Sequence, residues 1–253
     1  MKYTYEDLAG MIDHSLLHPT MTDRELEEGC QVAAKYKVAS VCIKPYYVKR
    51  AAEILAGSGV AVCTVIGFPH GSSITEVKRY ETELACKEGA TEIDVVINIG
   101  KALSGDWDYV KNDIQAVVKE SHKHGAIVKV IFENDFMPDD AIKTRLCEIC
   151  EAVSAEYVKT STGYGFVKGT DGKYAYQGAT EHDLKLMRAA CSPAVKIKAA
   201  GGVRDLDALI KCRDIGCSRV GATATAAMMD EYRRREAAGE PAESEAKLGT
   251  GAY

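Results

Sequence analysis

No apolar run in the 253 residues of this chain approaches the roughly 20 needed to span a bilayer. The opening Met1-Lys2-Tyr3-Thr4-Tyr5-Glu6-Asp7 also has no apolar signal core, so a cytoplasmic location without membrane contact is expected. A basic stripe is missing too. The 32 Lys and Arg are interspersed with 37 Asp and Glu for a net charge of -5, which leaves nothing to track a phosphate backbone and argues against a nucleic-acid partner. No disorder signature precedes roughly the last twenty residues, and with 46% hydrophobic residues the chain can build one large core or two modest ones.

Cysteine is present, but without a secretory context. Nine is an odd count, and Cys42, Cys63, Cys86, Cys191 and Cys212 sit inside apolar patterns, where thiols behave as small hydrophobes and are expected reduced. Cys147-Glu148-Ile149-Cys150 has C-x-x-C spacing, yet it falls on a helical segment with no second pair or nearby His, and a buried helical pair is the favoured reading. Histidine supplies no ligand set. His122 and His124 differ by two on a helix and point apart, and His14 and His18 are placed near a loop. No metal and no cofactor is expected.

Short β-branched runs alternate with longer amphipathic stretches along the whole chain. Eight strands are predicted: 11–16, 38–43, 60–66, 92–98, 126–132, 157–160, 195–199 and 218–222. Capping-box patterns at Thr22-Asp23-Arg24-Glu25 and Ser73-Ile74-Thr75-Glu76, and Pro138, mark helix starts between them. With no break in composition, the pattern argues for one closed (β/α)8 barrel of the TIM type over residues 1–235, a doubly wound open sheet being the alternative. The Ala, Glu and Gly rich stretch 236–253 is read as a mobile tail whose Tyr253 is able to fold back.

A barrel's outer face must be apolar because helices cover it, so alternation assigns the inner face. It sends Asp94, Val96 and Asn98 inward on the fourth strand, Lys129 and Glu133 on the fifth, and Lys196 and Lys198 on the seventh. Asp13 and Cys42 follow on the first and second strands, and Lys159 on the sixth. Four lysines against Asp13, Asp94 and Glu133 is too polar for a core built only for stability, and a chamber for chemistry is expected. Burying several ammonium groups together favours leaving one neutral, and a neutral lysine is a nucleophile toward carbonyls, as in a Schiff-base enzyme.

Barrel enzymes grip phosphate with the loops after the last two strands. Here those are Ala200-Gly201-Gly202-Val203-Arg204 and Val220-Gly221-Ala222-Thr223-Ala224-Thr225, with Gly163 and Gly165 able to close a third side.

From about Ile12 to Met229 the chain resembles the deoxyribose-phosphate aldolase family. The matching blocks are Ile12-Asp13-His14-Ser15-Leu16-Leu17, Val41-Cys42-Ile43, Val65-Ile66-Gly67-Phe68-Pro69-His70-Gly71, Glu92 to Asn98, Val158-Lys159-Thr160-Ser161-Thr162-Gly163 and Lys196 to Arg204. The resemblance implies a class I aldolase that cleaves 2-deoxyribose 5-phosphate to acetaldehyde and glyceraldehyde 3-phosphate in deoxyribonucleotide catabolism. Its partners would be the phosphorylated sugar and the aldehydes, and a homo-oligomer is compatible with it. It also implies Lys159 as the imine-forming residue, Lys198 as its cationic partner and Asp94 as the proton shuttle. Gly163, Gly201, Gly202, Gly221 and Thr223 would bind phosphate, with Asp13 and Lys129 holding the charge network in shape. Cys42 in the chamber would meet reactive aldehydes.

Two departures stand out. A polar stretch, Val167 to Tyr176, is inserted before Gly178-Ala179-Thr180 and reads as a solvated loop, with Lys168 and Lys173 as alternative phosphate contacts. Ala224 follows Thr223 where relatives often carry a second hydroxyl residue. Another Schiff-base lyase of the same barrel type, or a silent barrel sensing a sugar phosphate, are the rival readings.

Overall fold

Eight parallel strands close on themselves in the computed structural model of the chain, which describes residues 2–240 and 248–249. In chain order the strands are β1 (Ile12–Leu16), β2 (Ser40–Ile43), β3 (Ala61–Ile66), β4 (Glu92–Val96), β5 (Ile127–Ile131), β6 (Tyr157–Lys159), β7 (Val167–Lys168), β8 (Tyr174–Ala175), β9 (Lys196–Ala200) and β10 (Arg219–Ala222). The barrel runs β1-β10-β9-β6-β5-β4-β3-β2, while β7 and β8 pair only with each other, antiparallel. The helices are α1 (Tyr5–Ala9), α2 (Asp23–Tyr36), α3 (Val48–Leu55), α4 (Thr75–Lys87), α5 (Ile99–Leu103), α6 (Trp107–Lys123), α7 (Asp140–Ala152), α8 (Glu181–Ala190), α9 (Leu206–Ile215) and α10 (Thr225–Ala238). All eight expected strands are present, with ends that differ by no more than two residues, and the closed sheet removes the open-sheet alternative.

The outer face is what the alternation demanded. Ile93, Val95, Val128, Val130, Ile197 and Val220 are fully or almost fully buried in the core beneath the helices. Each contributes about 1.5–3 kcal/mol of hydrophobic stabilisation, the term that fixes which side of every strand faces in. Helix α10 runs to Ala238 and ends on Gly239 in the left-handed region at φ 66, so it passes the 235/236 boundary expected for the tail. Tyr253 lies outside the described residues. Among those described, no helix is long and apolar enough to cross a membrane.

Helix starts followed the sequence less faithfully. Thr22 forms the expected capping box with Glu25. Helix α4 instead opens one residue later than Ser73 would place it, with Ile74 at the cap position and so no side-chain cap, while the Thr75 hydroxyl donates to Asp113 on α6 at 2.8 Å. Pro138 stands ahead of α7, whose cap is Asp139, accepting from Ala141 N. Both halves of the C-x-x-C, Cys147 and Cys150, are buried on α7 in the main core. His14 sits within β1, buried and hydrogen-bonded to the Thr225 hydroxyl at 2.8 Å, rather than near a loop. Burial lowers its pKa to about 4.

Candidate active site

The inside of the barrel has two unlike walls. Along β2 and β3 it is apolar, with Leu17, Cys42, Cys63 and Val65 clustered beneath Phe68. Along β4 to β10, and at Asp13 on β1, it is charged. Asp94, fully buried on β4, receives Lys159 Nζ and Lys198 Nζ on one oxygen, Oδ2, at 2.7 Å each, and Lys129 Nζ on Oδ1 at 2.9 Å. Toward the N-terminal ends of the strands, Asp13 holds Lys198 and Arg219 at 2.5 Å each, and Glu92 holds Arg219 at 2.9 Å and Lys129 at 2.7 Å.

Four cationic side chains thus share three carboxylates. Burial opposes the charge on Asp94, yet Lys129, Lys159 and Lys198 outweigh it and hold the carboxyl well below its ordinary value. Burial likewise opposes the charge on Lys198, and Asp13 and Asp94 overcome it, so its pKa is raised. Lys129 is raised in the same way, chiefly by Asp94. Lys159 has Asp94 as its one carboxylate partner among the described ion pairs, and it stands at the top of the network where the barrel opens.

The opening is a cavity of about 600 Å³. Lys159, Lys198, Cys42, Gly163, Gly201, Gly202, Gly221 and Thr223 all line it, while Asp13, Asp94 and Lys129 lie beneath. Gly201 and Gly202 have φ of 88 and 84, which an L side chain would adopt only under strain. The first turn of α10 takes no side-chain cap, which leaves its N–H dipoles to an anion. Thr225 is committed to His14, so Thr223 is the hydroxyl that this loop brings to the cavity. The thiol of Cys42 is 3.9 Å from that of Cys63, and Cys63 donates to Asp94 at 3.2 Å. The hydrogen bond with Cys63 lowers the pKa of Cys42.

Several expectations need correction. Lys196 is not inside: it is the first residue of β9, exposed, with its ammonium 5.6 Å from the Tyr157 ring centroid. Three lysines and Arg219, rather than four lysines, therefore make up the interior cations. Asn98 lies beyond β4 and caps α5. Glu133 lies beyond β5 in a left-handed conformation at φ 58, and its buried carboxylate accepts from Thr162 N at 3.1 Å and from the Thr162 hydroxyl. Burial raises it to about 7 against those bonds. Lys168 and Lys173 do not line this cavity, because the inserted stretch folds as the exposed β7–β8 hairpin, but Tyr164, just before it, and Tyr176, at its C-terminal end, do.

Arg219, Glu92 and Arg204 were missed. Alternation around Val220 and Ile93 would have turned Arg219 and Glu92 inward, and Arg204 lies in the loop already picked for phosphate. Two clusters bring ligand-type atoms together among the described residues: Cys42, Cys63 and Asp94, and Asp140, His182 and Asp183. Asp94 already carries three lysines, and Lys143 sits between Asp140 and Asp183 at 3.2 and 2.6 Å, so a cation would compete with ammonium groups at either place.

The family model for "DeoC/LacD family aldolase" matches residues 8–223 of the chain. The chain belongs to the DeoC/LacD aldolase family. Among similar family members, a deoxyribose-phosphate aldolase of Rhodopirellula baltica is 50% identical over 92% of each chain. One from Bacillus mycoides is 45% identical over 88% of this chain and 95% of its own. The barrel superposes on the solved deoxyribose phosphate aldolase of Aeropyrum pernix, described as tetrameric, with a TM-score of 0.79 and 28% identity over 91% of this chain and 92% of that one.

Proposed function

We propose that the chain is a class I deoxyribose-phosphate aldolase, cleaving 2-deoxyribose 5-phosphate reversibly to acetaldehyde and glyceraldehyde 3-phosphate. The observation that carries this is Lys159 and Lys198 meeting on one oxygen of Asp94 at the floor of the cavity. Lys159, which pairs with a single carboxylate and faces the cavity, is the lysine placed to meet a carbonyl substrate.

As the free amine, Lys159 adds to acetaldehyde to form a carbinolamine, which loses water to an iminium ion. Removal of a proton from its methyl carbon gives an enamine, and that carbon attacks the aldehyde of glyceraldehyde 3-phosphate. Hydrolysis releases the sugar phosphate and restores the amine. Lys198 keeps its proton, as its two carboxylates require. Asp94 moves protons between the intermediates. Its Oδ2 lies 2.7 Å from both Lys159 Nζ and Lys198 Nζ, within reach of the reacting nitrogen and of a second proton carrier. Asp13, Lys129 and Arg219 hold the network in register. Gly163, Gly201, Gly202, Gly221 and Thr223 take the phosphate, and Arg204 at the cavity rim adds a positive charge. Cytoplasmic residence agrees with nine free cysteines, and assembly of identical copies agrees with the tetrameric relative.

The test is borohydride reduction in the presence of acetaldehyde, followed by peptide mass analysis. An ethyl adduct on Lys159 is expected. Trapping by dihydroxyacetone phosphate or pyruvate in place of acetaldehyde would shift the reading to another lyase, and no adduct with any of them would leave a silent sugar-phosphate sensor.

A further inference from the structure

The insertion between Gly163 and Gly178 behaves as two different parts. Its tip is solvent-exposed, with Tyr174 66% exposed. Its C-terminal end is locked to the barrel. Tyr176 is 6% exposed, packs edge-on against Phe166 with ring centroids 5.4 Å apart, and lines the catalytic cavity. Asp135, in the loop after β5, accepts from two successive backbone donors, Gln177 N at 2.5 Å and Gly178 N at 3.0 Å. One residue on, Ala179 N donates to Gly201 O at 3.0 Å.

The contact with the Gly201 loop is close enough to exclude side chains. A Cβ on Gly178 would stand 2.6 Å from Gly201 O, and one on Gly201 would stand 2.9 Å from Gly178 Cα and 3.1 Å from Tyr176 Cε2. Both glycines have positive φ, 70 and 88. In a planar trans peptide the C=O and the following N–H point opposite ways. Holding the Gly201 carbonyl toward Ala179 therefore aims the Gly202 N–H away from the inserted segment, and Gly202 lines the cavity.

We infer that Asp135 and Tyr176 are positioning residues for the phosphate end. Through the segment 176–179 they hold the Gly201–Gly202 loop in its anion-accepting shape, and so set the preference of this chain for phosphorylated over non-phosphorylated substrate. The inference rests on the aldolase reading. It assigns the specificity to the anchored end of the insertion and none of it to the charged tip. Asp135 can do this because a carboxylate accepts at both oxygens at once, whereas an amide would turn one donor against another.

The experiment compares Asp135→Asn with the unaltered protein on 2-deoxyribose 5-phosphate and on 2-deoxyribose, and measures competitive inhibition by inorganic phosphate. The expected result is a rise of about tenfold in KM for the phosphorylated substrate that exceeds any fall in kcat, with phosphate inhibition weakened in parallel and the ratio of the two kcat/KM values reduced accordingly. Tyr176→Ala should move the same ratio in the same direction, and it keeps the test open should the Asn variant fold poorly. Replacing 168–174 with two glycines should leave the ratio in place. Equal losses on both substrates, or phosphate inhibition unmoved in both point variants, overturn the inference, as would a shortened tip that reproduces the Asp135→Asn effect. Acetaldehyde trapping at Lys159 is read separately in each variant, so a failure of the aldolase reading is seen on its own.

Discussion

Among the described residues, two places bury lysine completely, and only one of them is built for chemistry. Between α4 and α6, Lys78 pairs with Asp113 at 2.6 Å and donates to Val96 O at 2.8 Å, with both side chains inaccessible. Burial wins there: with one carboxylate for one ammonium, the pKa of Lys78 is lowered. Inside the barrel Lys198 is as buried, but it faces both Asp13 and Asp94, and its pKa is raised. A buried lysine is thus not in itself a sign of function. The network inside the barrel differs in having one more cation than carboxylates and in opening, at Lys159, onto a cavity. The Lys78 pair has matched charges and reaches no solvent, so its role is to join α4 to α6.

Substitutions should separate the two sites. Lys159→Leu should lower turnover by on the order of 10³-fold or more, while circular dichroism and melting stay close to those of the parent. Substantial residual turnover would remove Lys159 from the nucleophile's role. Lys198→Leu removes the ammonium that shares Asp94 Oδ2 with Lys159. Turnover should fall by about 10²-fold with melting close to that of the parent; parent-like turnover would break the charge-sharing account.

The opposite outcome is expected outside the barrel. Lys78→Leu should destabilise by about 3–5 kcal/mol because Asp113 is left buried and unpaired, as read from denaturant midpoints. Turnover per folded molecule should hold, and adding Asp113→Leu should recover much of the loss. Were Lys78→Leu to abolish turnover while melting normally, the contrast between the two sites would fail.

Glu133 sharpens the contrast from the carboxylate side, since it is buried with hydroxyl and amide donors and, among the described residues, makes no ion pair. Its pKa is raised to about 7 from 4.5, so the folded state binds a proton that the unfolded state releases between those values. Stability from this group is present below pH 4.5 and is lost as pH rises through 7, by up to about 3 kcal/mol. In Glu133→Gln that decline between pH 5 and pH 8 should be smaller than in the parent, as measured by denaturant unfolding at both values. Identical pH slopes would remove Glu133 as its source.

How much of this was legible beforehand depends on what alternation can say. It reports the side of a strand, and it correctly turned Asp13, Cys42, Asp94, Lys129 and Lys198 inward. It does not report depth, so it placed Lys196 inside although that residue sits at the exposed start of β9. Nor does it continue past a strand's end, which is why Asn98 became a helix cap and Glu133 turned to Thr162 rather than to the lysines. Lys78 drew no notice because helical periodicity at 78, 82 and 85 marks a buried face without saying what that face meets.

The order of β-branched runs and amphipathic stretches determined by itself that eight strands would alternate with helices, because each strand has only one face apolar enough to lie under helices. It also determined which residue types would point into the middle. Closure into a barrel rather than an open sheet was left to the tertiary structure. The sharing of one Asp94 oxygen by two lysines was decided by the tertiary structure, since strand register and barrel closure bring β4, β6 and β9 to a common depth. So was the meeting of Asp135, Tyr176 and Gly201, which lie on three different loops and touch only because the chain wraps them around one opening.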